Sequence, residues 1–189
     1  MVEHGGLSNL VEAVRAQCGL TSADRFLQFV SVAFDVCAEE IFTPLSCGAA
    51  VVLRDGGWLG DARTFWALCE RYGITVLDLP AKFWEQVTAD AQVEIPASVR
   101  CLLVGGEAAS AESMRRWFAR SGHRPMLLNA YGPTETTVNA TWYVCRADDA
   151  DTPPIGRPIA NTRIYLLDAH RQPVPLGAVG ELYIGGAGV

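Results

Sequence analysis

The feature that most restricts what this chain can become is a repeated alternation. Runs of β-forming residues begin about 25 residues apart, at Phe26, Ala49, Ile74, Arg100 and Met126, and helix-like patterns fill most of the gaps. That rhythm predicts an α/β fold: a mostly parallel sheet with flanking helices. Ahead of the first run, Leu7, Leu10, Val11 and Val14 recur at helical spacing, giving an amphipathic helix over residues 8–17. Residues 26–34 read as a buried strand. Asp35 then opens a helix across residues 38–42 that Pro44 should bend or end and Gly48 closes. Asp61 and Ser110 stand where N-caps belong, before helices expected to bury Phe65, Leu68, Cys69 and Tyr72, and Met114, Trp117 and Phe118. A shorter helix is expected over 80–88, and residues 89–98 read as a polar connector.

Past Val138 the rhythm stops. Residues 138–145 and 163–167 read as strands with no helix between them, joined through the proline-rich segment 153–158. A last strand begins at Gly180 with little room to find a partner. The expected organisation is therefore an α/β part over 1–137 and the start of an antiparallel β subregion of the same domain over 138–189. The chain reads as an excerpt of something longer.

Composition removes several function classes. A net charge of −6 with scattered basic residues argues against a surface for nucleic acid or anionic lipid. No apolar run approaches the roughly 20 residues of a membrane span, and the first residues carry no secretion signal. The six cysteines include no metal-knuckle or redox spacing, so a cytoplasmic protein with reduced thiols is expected. The three histidines are far apart among polar neighbours.

Residues 127–138, Leu-Leu-Asn-Ala-Tyr-Gly-Pro-Thr-Glu-Thr-Thr-Val, carry the densest chemistry. An apolar run stops at Asn129 and the chain turns through Gly132-Pro133. A strand that ends so leaves its polar residues at the carboxyl edge of the sheet, where open α/β sheets bind ligands. Those residues offer an amide, an aromatic face, hydroxyls and a carboxylate. They equally suit a polar loop that caps a strand.

Asn129-Ala130-Tyr131-Gly132-Pro133-Thr134-Glu135 resembles the signature loop of the adenylation domains of nonribosomal peptide synthetases, within the larger acyl-adenylate-forming, AMP-binding family. Phe34-Asp35 followed by Glu40-Ile41-Phe42 is similar to that family's strand-to-helix substrate segment, and Gly105-Gly106-Glu107 to its adenine-side loop. Residues 180–189 resemble a later motif, cut short here. The matches run in order over almost the whole chain.

The resemblance implies the large N-terminal part of an adenylation domain, an ATP-dependent ligase that forms aminoacyl-AMP from ATP and an amino acid. The product would be loaded onto the phosphopantetheine thiol of a peptidyl carrier protein, with a condensation domain as a further partner, in secondary-metabolite biosynthesis. It assigns Asp35 to the α-ammonium of the amino acid, where the residue alone also reads as a helix N-cap. It lines the side-chain pocket with Val36, Glu39, Asp78, Leu103, Gly105, Ala130, Val138 and Asn139. It gives the nucleotide to Gly105, Gly106, Glu107, Asn129, Ala130, Tyr131, Gly132 and Thr134, with Tyr131 stacked on adenine, Asn129 on its exocyclic amine and Thr134 on the α-phosphate. Glu135 would ligate Mg²⁺ and, with Thr134, serve catalysis.

Glu39 also reads as an exposed helix residue, and Asp78 as a cap for the helix at Pro80. If both acids face the pocket, burying them without a cation costs several kcal/mol or forces protonation. A basic amino acid such as ornithine, lysine or arginine would resolve that. Asp168 reads as a turn residue. The family's phosphate loop, ribose aspartate, hinge and catalytic lysine are not in these residues, so the polypeptide by itself is expected not to adenylate. Two other readings remain open: a stand-alone acyl- or aryl-adenylating ligase, against which Asp35 weighs, and a non-catalytic nucleotide-binding remnant.

Overall fold

The computed structural model describes residues 1–149 and 153–189. Its centre is a seven-stranded sheet in the order β2-β1-β3-β4-β5-β6-β7. Strands β1 (Arg25–Gln28), β2 (Ala50–Leu53), β3 (Val76–Pro80), β4 (Cys101–Gly105) and β5 (Met126–Tyr131) are parallel. β6 (Thr141–Val144) turns back antiparallel on β5, and β7 (Arg157–Pro158) pairs antiparallel with β6. The mostly parallel sheet expected from the spacing is present.

Strand alternation divides the core in two. Leu27, Leu77, Leu79, Leu102, Val104 and Leu127 pack with α3 (Ala62–Tyr72), α4 (Ala81–Thr88) and α5 (Ala111–Ala119) on one face. Phe26, Val76, Cys101, Leu103 and Leu128 pack with α1 (His4–Cys18) on the other. α2 (Val36–Ser46) lies on that second face against α1, β1 and β2. The alternation that puts Val76 there carries Asp78 to the same face, in register with Leu103.

The expected helix signals work as chemistry predicts. Asp61 accepts from Thr64 N–H at 2.8 Å and Ser110 from Ser113 N–H at 3.2 Å. α1 and α3 close on left-handed glycines, Gly19 (φ 58°) and Gly73 (φ 59°). α2 runs through Pro44 and ends two residues later, at Ser46. The connector over 89–98 is less polar than expected, because Val93 and Ile95 are buried in the core.

Three expectations need correction. The strand predicted over 26–34 stops at Gln28, because the buried Glu40 carboxylate takes the N–H groups of Phe29 and Val30 away from any ladder. Residue 138 does not begin a strand: Val138 is left-handed (φ 65°) and β6 starts at Thr141. The last strand does find a partner. β9 (Glu181–Gly186) pairs antiparallel with β8 (Thr162–Leu167) along its whole length, in a separate two-stranded sheet. All six cysteines are free thiols, as expected for reduced core cysteines.

Candidate functional site

Parallel strands that begin together also end together, so the last residues of β3, β4 and β5 meet at one edge. A cavity of about 600 Å³ opens there between those ends and the loop from Phe29 to Asp35. A second cavity of about 430 Å³ adjoins it, and Gly106, Glu107, Ala130, Gly132 and Pro133 line both. One crevice with two chambers results.

Asp35 lines the larger chamber and is half-buried. It stands at the N-cap position of α2, yet its backbone is helical (φ −63°, ψ −29°) and its carboxylate accepts no capping hydrogen bond. The N-cap chemistry offered by the sequence is therefore not used, and the carboxylate remains available to a ligand. Val36, Asp78, Gly105, Ala130, Val138 and Asn139 line the same chamber. Glu39 and Leu103 do not reach its surface. Leu103 is buried in the α1-side core, and Glu39 lies behind Asn139, whose side-chain amide donates to Glu39 Oε2 at 2.5 Å.

Glu39 is not an exposed helix residue, and Asp78 caps nothing on α4, whose N-cap is Pro80. Three acids are buried together, Glu39, Glu40 and Asp78. Burial, Asp78 and Glu40 push the Glu39 carboxyl well above the usual range. Burial is also the main cause that raises Asp78 to about 6 and Glu40 to about 8. Glu40 is tied down by donors: Phe29 N–H at 3.0 Å, Val30 N–H at 3.2 Å and the Gln28 amide at 3.0 Å. These bonds set the turn that carries the chain from β1 around the chamber to Asp35.

The loop after β5 is held on three sides. Ala140 N–H donates to Tyr131 O at 2.8 Å. The Thr136 hydroxyl donates to Pro133 O at 2.9 Å, inside a single 3-10 turn over Thr134–Thr136. The Thr137 hydroxyl donates to Gly188 O at 2.7 Å, and Thr137 itself is left-handed (φ 61°), a costly shape for a β-branched residue. Thr134 faces the larger chamber, whereas Asn129 and Tyr131 face the smaller. Tyr131 is 39% exposed, with its ring open to a planar ligand. Asn129 spends its amide N–H on Pro154 O (2.9 Å), which leaves the amide oxygen as an acceptor. Glu135 is exposed beside Thr134 and lines neither chamber.

The family model for AMP-binding enzymes matches residues 1–189. The chain belongs to the AMP-binding enzyme family. Among AMP-binding relatives, it is 42% identical over 193 residues to malpibaldin synthetase of Mortierella alpina, matching all of this chain and 3% of that protein. It is 40% identical over 186 residues to bacitracin synthase 3 of Bacillus licheniformis, matching 98% of this chain and 3% of that one. A solved nonribosomal peptide synthetase protein with adenylation and carrier domains superposes with a TM-score of 0.86 at 30% identity, over 100% of this chain and 38% of its own. A four-domain synthetase solved with AMP and glycine superposes at 0.84 and 30% identity, over 97% of this chain and 14% of its own. The chain thus spans a small part of each relative.

Sequence reasoning placed Glu40 in the substrate-segment motif without its role, and missed Gln28 and Arg54. Glu40 and Gln28 shape the wall of the larger chamber and Arg54 lines it. Glu40 sits one residue from Glu39 in an ordinary helical pattern, and only contacts made on folding mark it.

Proposed function

We propose that this chain is the substrate- and nucleotide-binding part of an adenylation domain that activates an amino acid with ATP. The observation that carries this is the two-chambered crevice: an unspent carboxylate, Asp35, in one chamber and an aromatic face, Tyr131, in the other. The solved synthetase bound to AMP and glycine supports the pairing of a nucleotide with an amino acid. In this reading residues 1–137, joined by Val138 and Asn139 on the chamber wall, form the binding part, and the rest of 138–189 is a β extension of the same domain.

Asp35 receives the α-ammonium, because a carboxylate in a low-dielectric pocket pairs strongly with a cation and rejects acids lacking one. Adenine stacks on Tyr131, its exocyclic amine donates to the Asn129 amide oxygen, and Gly106 lets backbone lie flat against the base. That leaves the phosphates at the shared wall, next to Thr134. The amino acid carboxylate then attacks the α-phosphorus in line, displacing pyrophosphate, and Thr134 holds the α-phosphate in position. Glu135, a single exposed hard-oxygen ligand whose remaining partners would be phosphate and water, fits Mg²⁺. Held there, the metal would offset the repulsion between two anionic reactants. The aminoacyl group passes to the phosphopantetheine thiol of a carrier protein, with a condensation domain downstream, in the cytoplasm where ATP is supplied.

In the synthetase that carries this chain, Glu135→Gln should lower ATP–pyrophosphate exchange by at least about 100-fold with an unchanged melting temperature. Equal losses of exchange and of folding would make Glu135 a structural residue and remove the metal role.

A further inference from the structure

The floor of the larger chamber is charged in a way the chain does not neutralise. Asp78 lines that chamber and is 5% exposed. Glu39, another acid, is buried beside it. Two carboxyl groups bond to each other only while one of them holds a proton. Without that proton Asp78 has no donor among the described residues, and Glu39 Oε1 is buried with none among them either. Asn139, on the chamber wall, satisfies Glu39 Oε2 alone.

Among the described residues, Arg54 is the cation that lines the chamber. Its Nε donates to Phe29 O and its guanidinium lies 5.2 Å from the Phe29 ring centroid. No ion pair or hydrogen bond joins it to Glu39, Glu40 or Asp78 among the described residues. A buried acid pair without a counter-cation is costly, and the chamber beside it has room for one. The walls above the floor are apolar at Val36, Leu79 and Val138, which suits a methylene stem.

We infer that the side-chain pocket takes an amino acid with a positively charged side chain, whose terminal cation pairs with Asp78 and, behind it, Glu39. The inference rests on the amino-acid-activating reading of the same site. It narrows that reading to one substrate class, with amine and guanidine ends sharing the chemistry.

A consequence follows for protons. Asp78 holds a proton below about pH 6, and an arriving cation pairs with its ionised form, so binding there releases a proton to solvent. Burial raises Asp78 to about 6, so binding should strengthen as pH rises through that value. The other titratable or charged groups around the pair are Asp35, Cys37 and Glu40 on α2 and its cap, Cys18 on α1, Arg54 after β2, and Glu107 after β4.

The test is ATP–pyrophosphate exchange by the whole synthetase that carries this chain, with the twenty standard amino acids and L-ornithine. The expected result is highest kcat/KM for ornithine, lysine or arginine, at least about 100-fold above leucine. The order among those three separates ammonium from guanidinium ends. A neutral or acidic amino acid at the top overturns the inference while amino acid activation stands. Exchange with none of them overturns both. Asp78→Asn should raise KM for the preferred cation at least about tenfold with kcat little changed, and should flatten the fall of KM between pH 5 and 7. Glu39→Gln should do the same and serves if the first variant folds poorly. An unchanged KM in a folded variant refutes the role of the pair.

Discussion

Replacing Gly132 by alanine tests how the loop after β5 is built. A Cβ at that position would lie 2.4 Å from Val138 O, 2.6 Å from Ala140 N and 2.8 Å from the Asn139 Cα. All three are backbone atoms, so no side chain can rotate away. The β5–β6 hairpin must open, and the Ala140 N–H to Tyr131 O bond of 2.8 Å is the first to break. Overpacking of this kind costs about 1–3 kcal/mol and the lost backbone bond about 1 more. A total of about 2–4 kcal/mol corresponds to a fall of about 6–12 °C in melting temperature for a chain of this size. Gly106→Ala is the control. Its Cβ meets nothing within 4 Å, so only the positive φ of 82° is penalised, at about 1 kcal/mol and about 2–4 °C. Both are read by calorimetric melting at neutral pH. If Gly132→Ala melts within about 2 °C of wild type, or Gly106→Ala falls further, the close-approach argument is wrong.

Two further predictions concern protons. Burial would raise the Asp24 carboxyl, but Arg100 (2.8 Å), Thr21 N–H (2.8 Å) and the Thr75 hydroxyl (2.8 Å) outweigh it and hold it at about 2, below its usual 3.8. A depressed carboxyl stabilises the fold above its unfolded value and loses that contribution as pH falls from about 4 towards 2. Asp24→Asn should cost about 2 kcal/mol at pH 7, with the difference from wild type vanishing near pH 2 in denaturant titrations. A difference independent of pH would refute the ion-pair account. Asp78 has the opposite sign: raised from 3.8 to about 6 by burial, it favours the folded state below pH 4 and loses that contribution as pH rises to about 6. Asp78→Asn should therefore flatten the decline in stability of the free protein across that window, and a steeper decline in the variant would sink this account.

Much of the architecture was legible because parallel strands covered on both faces must be apolar throughout. Cys101 to Val104 could hardly be anything else, and Ile74 to Leu79 departs from that rule only at Thr75 and Asp78. The chemistry at strand ends was legible as polar residues stranded after an apolar run, which is how Asn129, Tyr131 and Thr134 stood out. What escaped was set by contacts distant in sequence. β1 ends early because a carboxylate twelve residues beyond Gln28 captures the next two N–H groups, and no local pattern announces that. Arg100 ties Asp24, which precedes β1, to the C-terminal end of α1 across 76 residues. β8 was read as a strand, but its pairing with β9 was missed because both strands are largely exposed or half-buried, so the pairing left little trace in hydrophobic pattern. Glu39 and Asp78 came to attention through a family likeness. Their burial against each other is a fact of the fold.

The central claim is that Asp35 waits for an ammonium beside a nucleotide chamber. Its most direct measurement is calorimetry with two hydrolysis-resistant acyl-sulfamoyl adenosines of the same side chain, one with the α-amino group and one without. The account predicts that the amino compound binds at least about 100-fold more tightly, and that Asp35→Asn erases most of that difference. Equal affinity of the unmodified protein for the two compounds would contradict it.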